Sequence, residues 1–344
     1  MTRLLRSRSA IASIVMALVL AASAGLAVGR AETVPDLPPV APERLVADAL
    51  VAIASRTPVS GTITTHLELG LPQLPASLGP SGGAASILLA DQTFKVWRSP
   101  DGTRVAQILP FAERDLIATR TDVWAWDSDA FTAWHAAVPP SAEPPAPSSA
   151  GDLVAIVGKV LAGAAPYATL SLAEPERVAG RNAYVLALEP TDTTTLVGSI
   201  RVAIDAETSL PLRLQVIPKG SVDAAIEAGF TSVDFGPVDP SIFTFTPPDG
   251  ATVKELGASA HSAHDCGADC GSGEMPEVRT FGDGFGLILA LRVKTGDLPQ
   301  DVRAMLPYAG PLGSVDLVER GDHAWVLAGA VGPGALQVVE PELP

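Results

Sequence analysis

Cysteine is almost missing from this chain. Its 344 residues hold two, Cys266 and Cys270, too few for the disulfide framework of a small secreted domain. Aromatic residues are scarce at 5%, against 31 glycines and 31 prolines. That balance suits short elements joined by many turns better than long helices. Cations are outnumbered, 23 Lys and Arg to 38 Asp and Glu, for a formal net charge of −15. Such a surface repels phosphate backbones, so no nucleic-acid partner is expected, and it gives no polybasic grip on anionic lipid. The sequence has no HExxH, no GxGxxG opening a helix and no P-loop. His66 and His135 show no evident partner and read as surface or satisfied histidines, and the many carboxylates read as solvated surface. The expectation is a protein that is not an enzyme and has no cofactor.

Hydrophobic residues make up 47% of the chain and the mean hydropathy is +0.29, enough for a large core and more than one domain. Arg3, Arg6 and Arg8 precede an apolar run at 11–28, and Gly29-Arg30-Ala31 offers small residues for cleavage. Residues 1–31 are therefore expected to be a signal peptide, or an uncleaved membrane anchor if retained. No cysteine lies near that site, which excludes a lipid-modified cysteine anchor. The expected location is extracytoplasmic: secreted, periplasmic or in the cell envelope.

A Pro-rich spacer at 32–42 leads into an amphipathic stretch at 43–55, with Leu45, Ala49, Leu50 and Ile53 on one helical face. VSGTITTHLEL (59–69) alternates as a half-buried strand does, with Ile63, Thr65, Leu67 and Leu69 on one side. Residues 71–86 read as a loop. Strand patterns at 93–99, 103–109, 114–120 and 122–128 suggest an antiparallel meander. After a Pro-rich loop at 136–150, residues 153–163 read as a second helix, with Leu153, Ile156, Val157 and Val160 on one face. Strands follow at 183–190, 199–205 and 210–216. The last two form a hairpin with one dry face (Ile200, Val202, Ile204, Leu212, Leu214, Val216) and one wet face (Arg201, Arg213, Gln215). That is the pattern of an open sheet with helices on a single side. Residues 256–280 have a linker composition. Beyond them a buried strand at 286–294, a short helix at 298–306 and strands at 314–320 and 323–331 predict a compact α+β unit.

Two features bear on function. Trp124 and Trp126 are two apart on a strand and share a face, with Trp97 and Trp134 close in sequence. They read either as core packing or as the wall of an apolar cavity. The stretch HSAHDCGADCG (261–271) holds both cysteines with His261 and His264. It reads as a Cys266–Cys270 disulfide pinning a hinge, as a metal site, or as free or intermolecular thiols. The close spacing on a Gly/Ala/Asp-rich loop argues against a tetrahedral zinc site, so no metal is assigned.

VSGTITTHLELGLPQLP (59–75), DLIATRTDVWAWDSDAFTAWH (115–135), VAGRNAYVLAL (178–188), IRVAIDAETSLPLRLQV (200–216) and FTSVDFGPVDPSIFTFTPPDGATV (230–253) together resemble the LolA-type lipoprotein-carrier superfamily (LolA–LolB–LppX). The resemblance implies an α+β fold: an unclosed antiparallel β half-barrel over 43–255, covered by helices that enclose an apolar cavity. It also implies non-catalytic binding of a lipid, or of the acyl chains of a lipid-modified protein, with Leu67, Leu69, Trp97, Trp124, Trp126, Ile200, Val202, Leu212 and Leu214 as cavity candidates. FGDGFGLILAL (281–291) and HAWVLAGAVGP (323–333) are faintly similar to the C-terminal domain of the RseB/MucB envelope-stress regulators. That likeness implies a small C-terminal domain at 281–344, joined through the 256–280 linker. It also implies a different role, binding a membrane-bound anti-sigma factor. A membrane-bound transport partner is the third possibility.

Overall fold

The computed structural model describes residues 34–70, 91–139, 152–256, 277–298 and 300–344. The expected signal peptide, the 71–86 loop and the HSAHDCGADCG stretch with Cys266 and Cys270 lie outside these residues.

The expected first helix forms as α1 (Pro42–Ala54), with proline at its first position, where no intrahelical N–H is needed. It ends at Arg56, which takes the left-handed conformation with φ 53° that stops a helix. Strands β1 (Val59–Leu67), β2 (Gln92–Arg98), β3 (Gly102–Leu109), β4 (Ala112–Thr119), β5 (Asp122–Asp127) and β6 (Thr132–Ala137) follow. Next come α2 (Leu153–Ala164) and strands β7 (Ala168–Val178), β8 (Arg181–Pro190), β9 (Val197–Asp205), β10 (Pro211–Pro218), β11 (Ile226–Asp234) and β12 (Thr252–Glu255). These twelve strands make one sheet in the order β12-β6-β5-β4-β3-β2-β1-β11-β10-β9-β8-β7. The sheet is open, since its end strands β12 and β7 are not paired with each other. Neighbours are antiparallel except β12, which lies parallel to β6.

Strand alternation gives the sheet two different faces. On one, Val59, Ile63, Phe94, Val96, Val105, Leu186, Val202, Leu214 and Phe230 pack against Leu45, Ala49 and Ala52 of α1 and Leu153, Val154, Val157 and Leu161 of α2. Ile63, Leu186 and Val202 are fully buried there, so both helices sit on the same side. The 199–216 hairpin has its expected polarity, with Val202 opposite Leu214 and Arg201 opposite Gln215.

The second sheet contains β13 (Val278–Phe281), β14 (Ile288–Lys294), β15 (Tyr308–Ala309), β16 (Ser314–Arg320) and β17 (His323–Gly329), in the order β13-β14-β17-β16-β15. The short helix α3 (Gln300–Ala304) precedes β15, and α4 (Pro333–Val339) follows β17. Leu336 and Val339 of α4 bury Ile288, Ala290, Trp325 and Leu327. The 286–294 run, expected to be buried, is covered on one face only. Leu289 is 47% exposed because α4 supplies a single apolar layer. The two sheets meet at Thr195, which bridges to Val331, and where Leu196 donates its N–H to the Ala330 carbonyl at 2.8 Å.

Candidate functional site

The two helices leave a cleft of 410 Å³ between them, lined by Leu50, Ile53 and Ala54 of α1 and Ala155, Gly158 and Ala162 of α2. Small residues make this space. A Cβ on Gly158 would already lie 3.4 Å from the Ile53 side chain. The cleft's polar end is built from Arg56, Arg98, Thr103, Asp152 and Lys159.

Each polar group is placed by its own segment. The left-handed turn at Arg56 sends its side chain back over the sheet, where Nε donates to the Ser99 carbonyl (3.2 Å) and Nη2 to Thr103 Oγ1 (3.1 Å). Asp152 caps α2, its Oδ1 accepting from the Ala155 N–H at 3.0 Å, the usual service of an N-cap carboxylate. Arg98 reaches up from β2, donating through Nη2 to the Ile53 carbonyl at 2.9 Å. Its Nη1 lies 3.7 Å from Asp152 Oδ1. Asp152 is 1% exposed. Burial raises its pKa, against the pull of Arg98.

The candidate cavity residues divide between the two faces of the large sheet. Ile200, Val202, Leu212 and Leu214 lie in the core beneath the helices, and Leu67 continues the row of Ile63 and Thr65 along β1. Leu69 lies beyond β1 and lines a different hollow, of 310 Å³, with Tyr308, Leu312 and Val315 of the second sheet. The tryptophans lie on the opposite face. Trp97 is opposite Arg104, Arg104 opposite Ile117, Ile117 opposite Trp124 and Trp124 opposite His135 in successive strands. Phe245 fills the space over Trp124 and Trp126, with ring centroids at 5.3 and 5.9 Å. No single cavity brings the nine together, because the sheet stands between the two sets.

Both histidines are satisfied by carboxylates whose identity the sequence did not reveal. His66 Nδ1 lies 2.7 Å from Asp91 and its Nε2 3.3 Å from Glu68. His135 Nδ1 meets Glu255 at 2.8 Å and its Nε2 meets Asp122 at 2.9 Å, while its ring stacks on Trp124 at 4.1 Å. Burial works against charge on His135, but the two carboxylates outweigh it and raise its pKa. These rings are held between carboxylates, and His135 of β6 thereby ties Asp122 of β5 to Glu255 of β12. Arg104 and Asp115 make a further buried pair at 2.7 Å on the tryptophan face. Arg104 also donates to the Ile242 carbonyl at 3.3 Å, which pins the covering segment. Burial pushes Asp115 up to about 6, against that guanidinium. Among the described residues, no group of three or more His, Cys, Asp or Glu is arranged to hold a metal ion, and no helix is long and apolar enough to cross a membrane.

The polar end of the helix cleft was not foreseen. The one available signal was an Asp directly before the apolar run of α2, which marks a cap but not its burial.

The model of the MucB/RseB N-terminal domain matches residues 145–242. No curated protein matches the chain. Among solved structures, MucB in complex with MucA(peri) aligns over 87% of this chain and 97% of its own, with 13% identity and a TM-score of 0.50. The Pseudomonas aeruginosa MucA/MucB complex aligns over 86% and 96%, also at 13% and 0.50. A LolA superfamily protein from Nitrosomonas europaea aligns over 60% and 99% at 10% identity, with a TM-score of 0.23. The likeness expected from the sequence is thus present in the α+β fold, which is similar to that of MucB along nearly the whole MucB chain.

Proposed function

We propose that this protein is a non-catalytic extracytoplasmic binding protein of the RseB/MucB kind, which engages the extracytoplasmic segment of a membrane-bound regulatory partner, in the manner of an anti-sigma factor. The observation that carries this reading is the extent of the fold match: it covers 97% of MucB, more than a lipid-binding half-barrel alone. Crosslinking in the native host, followed by mass spectrometry, tests it. The expected product is a single-pass membrane protein whose purified extracytoplasmic segment binds the full chain in solution. If no such segment binds, the reading fails.

The helix cleft favours a second activity on the same scaffold, accepting an acyl chain from a lipid or a lipid-modified protein. Its walls are Leu50, Ile53, Ala54, Ala155, Gly158 and Ala162, and each methylene buried contributes about 0.8 kcal/mol. The full chain should bind a fluorescent fatty acid, and Gly158→Phe should weaken that binding by filling the cleft. Equal affinity in both proteins would place the lipid elsewhere.

A further inference from the structure

The polar end of the cleft has a charge balance opposite to that of the protein. Arg56, Arg98 and Lys159 face a single carboxylate, Asp152, in a chain of net charge −15. Among the described residues, two buried atoms there have no hydrogen-bond partner, Asp152 Oδ2 and Arg98 Nε. Asp152 is 1% exposed and its other oxygen is committed to the Ala155 N–H. A buried carboxylate oxygen without a donor, or a buried guanidinium N–H without an acceptor, is destabilising. The site therefore calls for one donor and one acceptor among the polar residues of an apolar cleft.

We propose that this cleft selects amphiphiles whose head group joins a phosphate to a primary ammonium, the phosphoethanolamine class. The inference rests on the acyl-binding reading above and adds the head group to it. The phosphate lies against Arg56, Lys159 and the free edge of Arg98. The ammonium donates to Asp152 Oδ2. Charge-assisted hydrogen bonds of this kind are roughly twice as strong as neutral ones. A choline head has the same charges but no N–H, so it leaves the carboxylate oxygen unmet. A purely anionic head satisfies the cations and also leaves Asp152 without a donor cation. An ordered water can serve both atoms too, and it gives no preference among lipids.

The test uses the full exported chain and single-chain probes of equal tail length: lysophosphatidylethanolamine, lysophosphatidylcholine and lysophosphatidylglycerol, with free phosphoethanolamine as the tail-less control. The expected result is about tenfold tighter binding of the ethanolamine lipid than of the choline lipid, equivalent to ~1.4 kcal/mol, with the free head group far weaker than either. Asp152→Asn should abolish that preference, since Asn still caps the helix but offers the ammonium no carboxylate. Arg56→Gln should weaken both lipids together. Equal binding of the ethanolamine and choline lipids to the unaltered chain overturns the head-group inference and leaves acyl binding standing. Tightest binding of the glycerol lipid also overturns it. Binding of none of the three defeats the acyl-binding reading itself.

Discussion

Arg181 clasps Asp205 through two parallel hydrogen bonds, Nε to Oδ1 at 2.8 Å and Nη2 to Oδ2 at 3.0 Å. Asp205 is 1% exposed and closes the β9–β10 turn, where Oδ2 also accepts from Thr208 N at 2.8 Å. Removing one member of a buried pair leaves a charge without compensation. Arg181→Ala is expected to destabilise the protein by about 3 kcal/mol, the lower end of that range because the turn amides remain. A denaturant midpoint measures it, and an unchanged midpoint would show that the turn carries the carboxylate alone.

Two groups on the tryptophan face tie stability to pH. His135 is raised above its ordinary value, the carboxylates of Asp122 and Glu255 outweighing burial, and burial raises Asp115 to about 6. Both hold their protons more tightly in the folded chain than in the unfolded one. The His135 contribution is fully present below its unfolded value and is lost as pH rises through its raised folded value. For Asp115, stability falls as pH rises from its unfolded value towards about 6. Asp115 therefore makes stability decline from about pH 4 to about 6, and His135 makes it decline further above about pH 6.5. Denaturation at pH 5 and pH 8 should show His135→Gln destabilising at the lower pH and much less at the higher one. Equal loss at both would deny the linkage.

Glycine substitutions separate two kinds of close approach. At Gly158, inside α2, an added Cβ meets only Ile53, at 3.4 and 3.6 Å, so Gly158→Ala should stabilise by up to about 1 kcal/mol through helix propensity. At Gly61 a Cβ would fall 2.1 Å from the Ser232 carbonyl oxygen, beside the irregular register of β1 and β11. Gly61→Ala should cost about 1–3 kcal/mol. Thermal melts of the two variants should move in opposite directions.

Thr195 is the polar joint between the sheets. Its hydroxyl donates to the Ala330 carbonyl at 2.7 Å and accepts from Val197 N at 3.2 Å. Thr195→Val leaves the Val197 N–H without its hydroxyl acceptor and the Ala330 carbonyl with the Leu196 N–H alone, at a cost of about 1–3 kcal/mol. We propose that residues 281–344 melt as a unit of their own once this joint is lost. Trp325 reports on it, being buried in the second sheet, while Trp97, Trp124, Trp126 and Trp134 belong to strands of the first. Coincident transitions of Trp325 and the other tryptophans in the variant would refute that independence.

What could be read in advance was periodic. α1 and α2 follow from apolar spacing, and the 199–216 hairpin from alternation. At 314–320 the expected strand is β16 to the residue. The missed elements are those whose signal is not local. The edge strand β7, ATLSLAEPERV, alternates weakly and carries a proline and three charges, because only one flank is paired. β6, TAWHAA, is too short and Ala-rich to announce a strand, and it hides the carboxylate partners of His135, one of which comes from 120 residues away. The cleft's polar end is of the same kind. Arg98 belongs to β2 and Asp152 to the start of α2, and only the packing of helix on sheet brings them together.

The parallel strand β12 has a consequence for handling the protein. It covers the outer edge of β6, pairing from Thr252–Thr132 to Glu255–His135, while the other edge, β7, is guarded by Glu174, Pro175, Glu176 and Arg177 in the way natural sheets blunt their margins. A chain cut before Thr252 would keep both helices and the apolar slot but bare an edge of β6 with no such guard. Shortened versions are therefore best ended after Glu255, where the sheet still has its own selvedge against sticking to a neighbour.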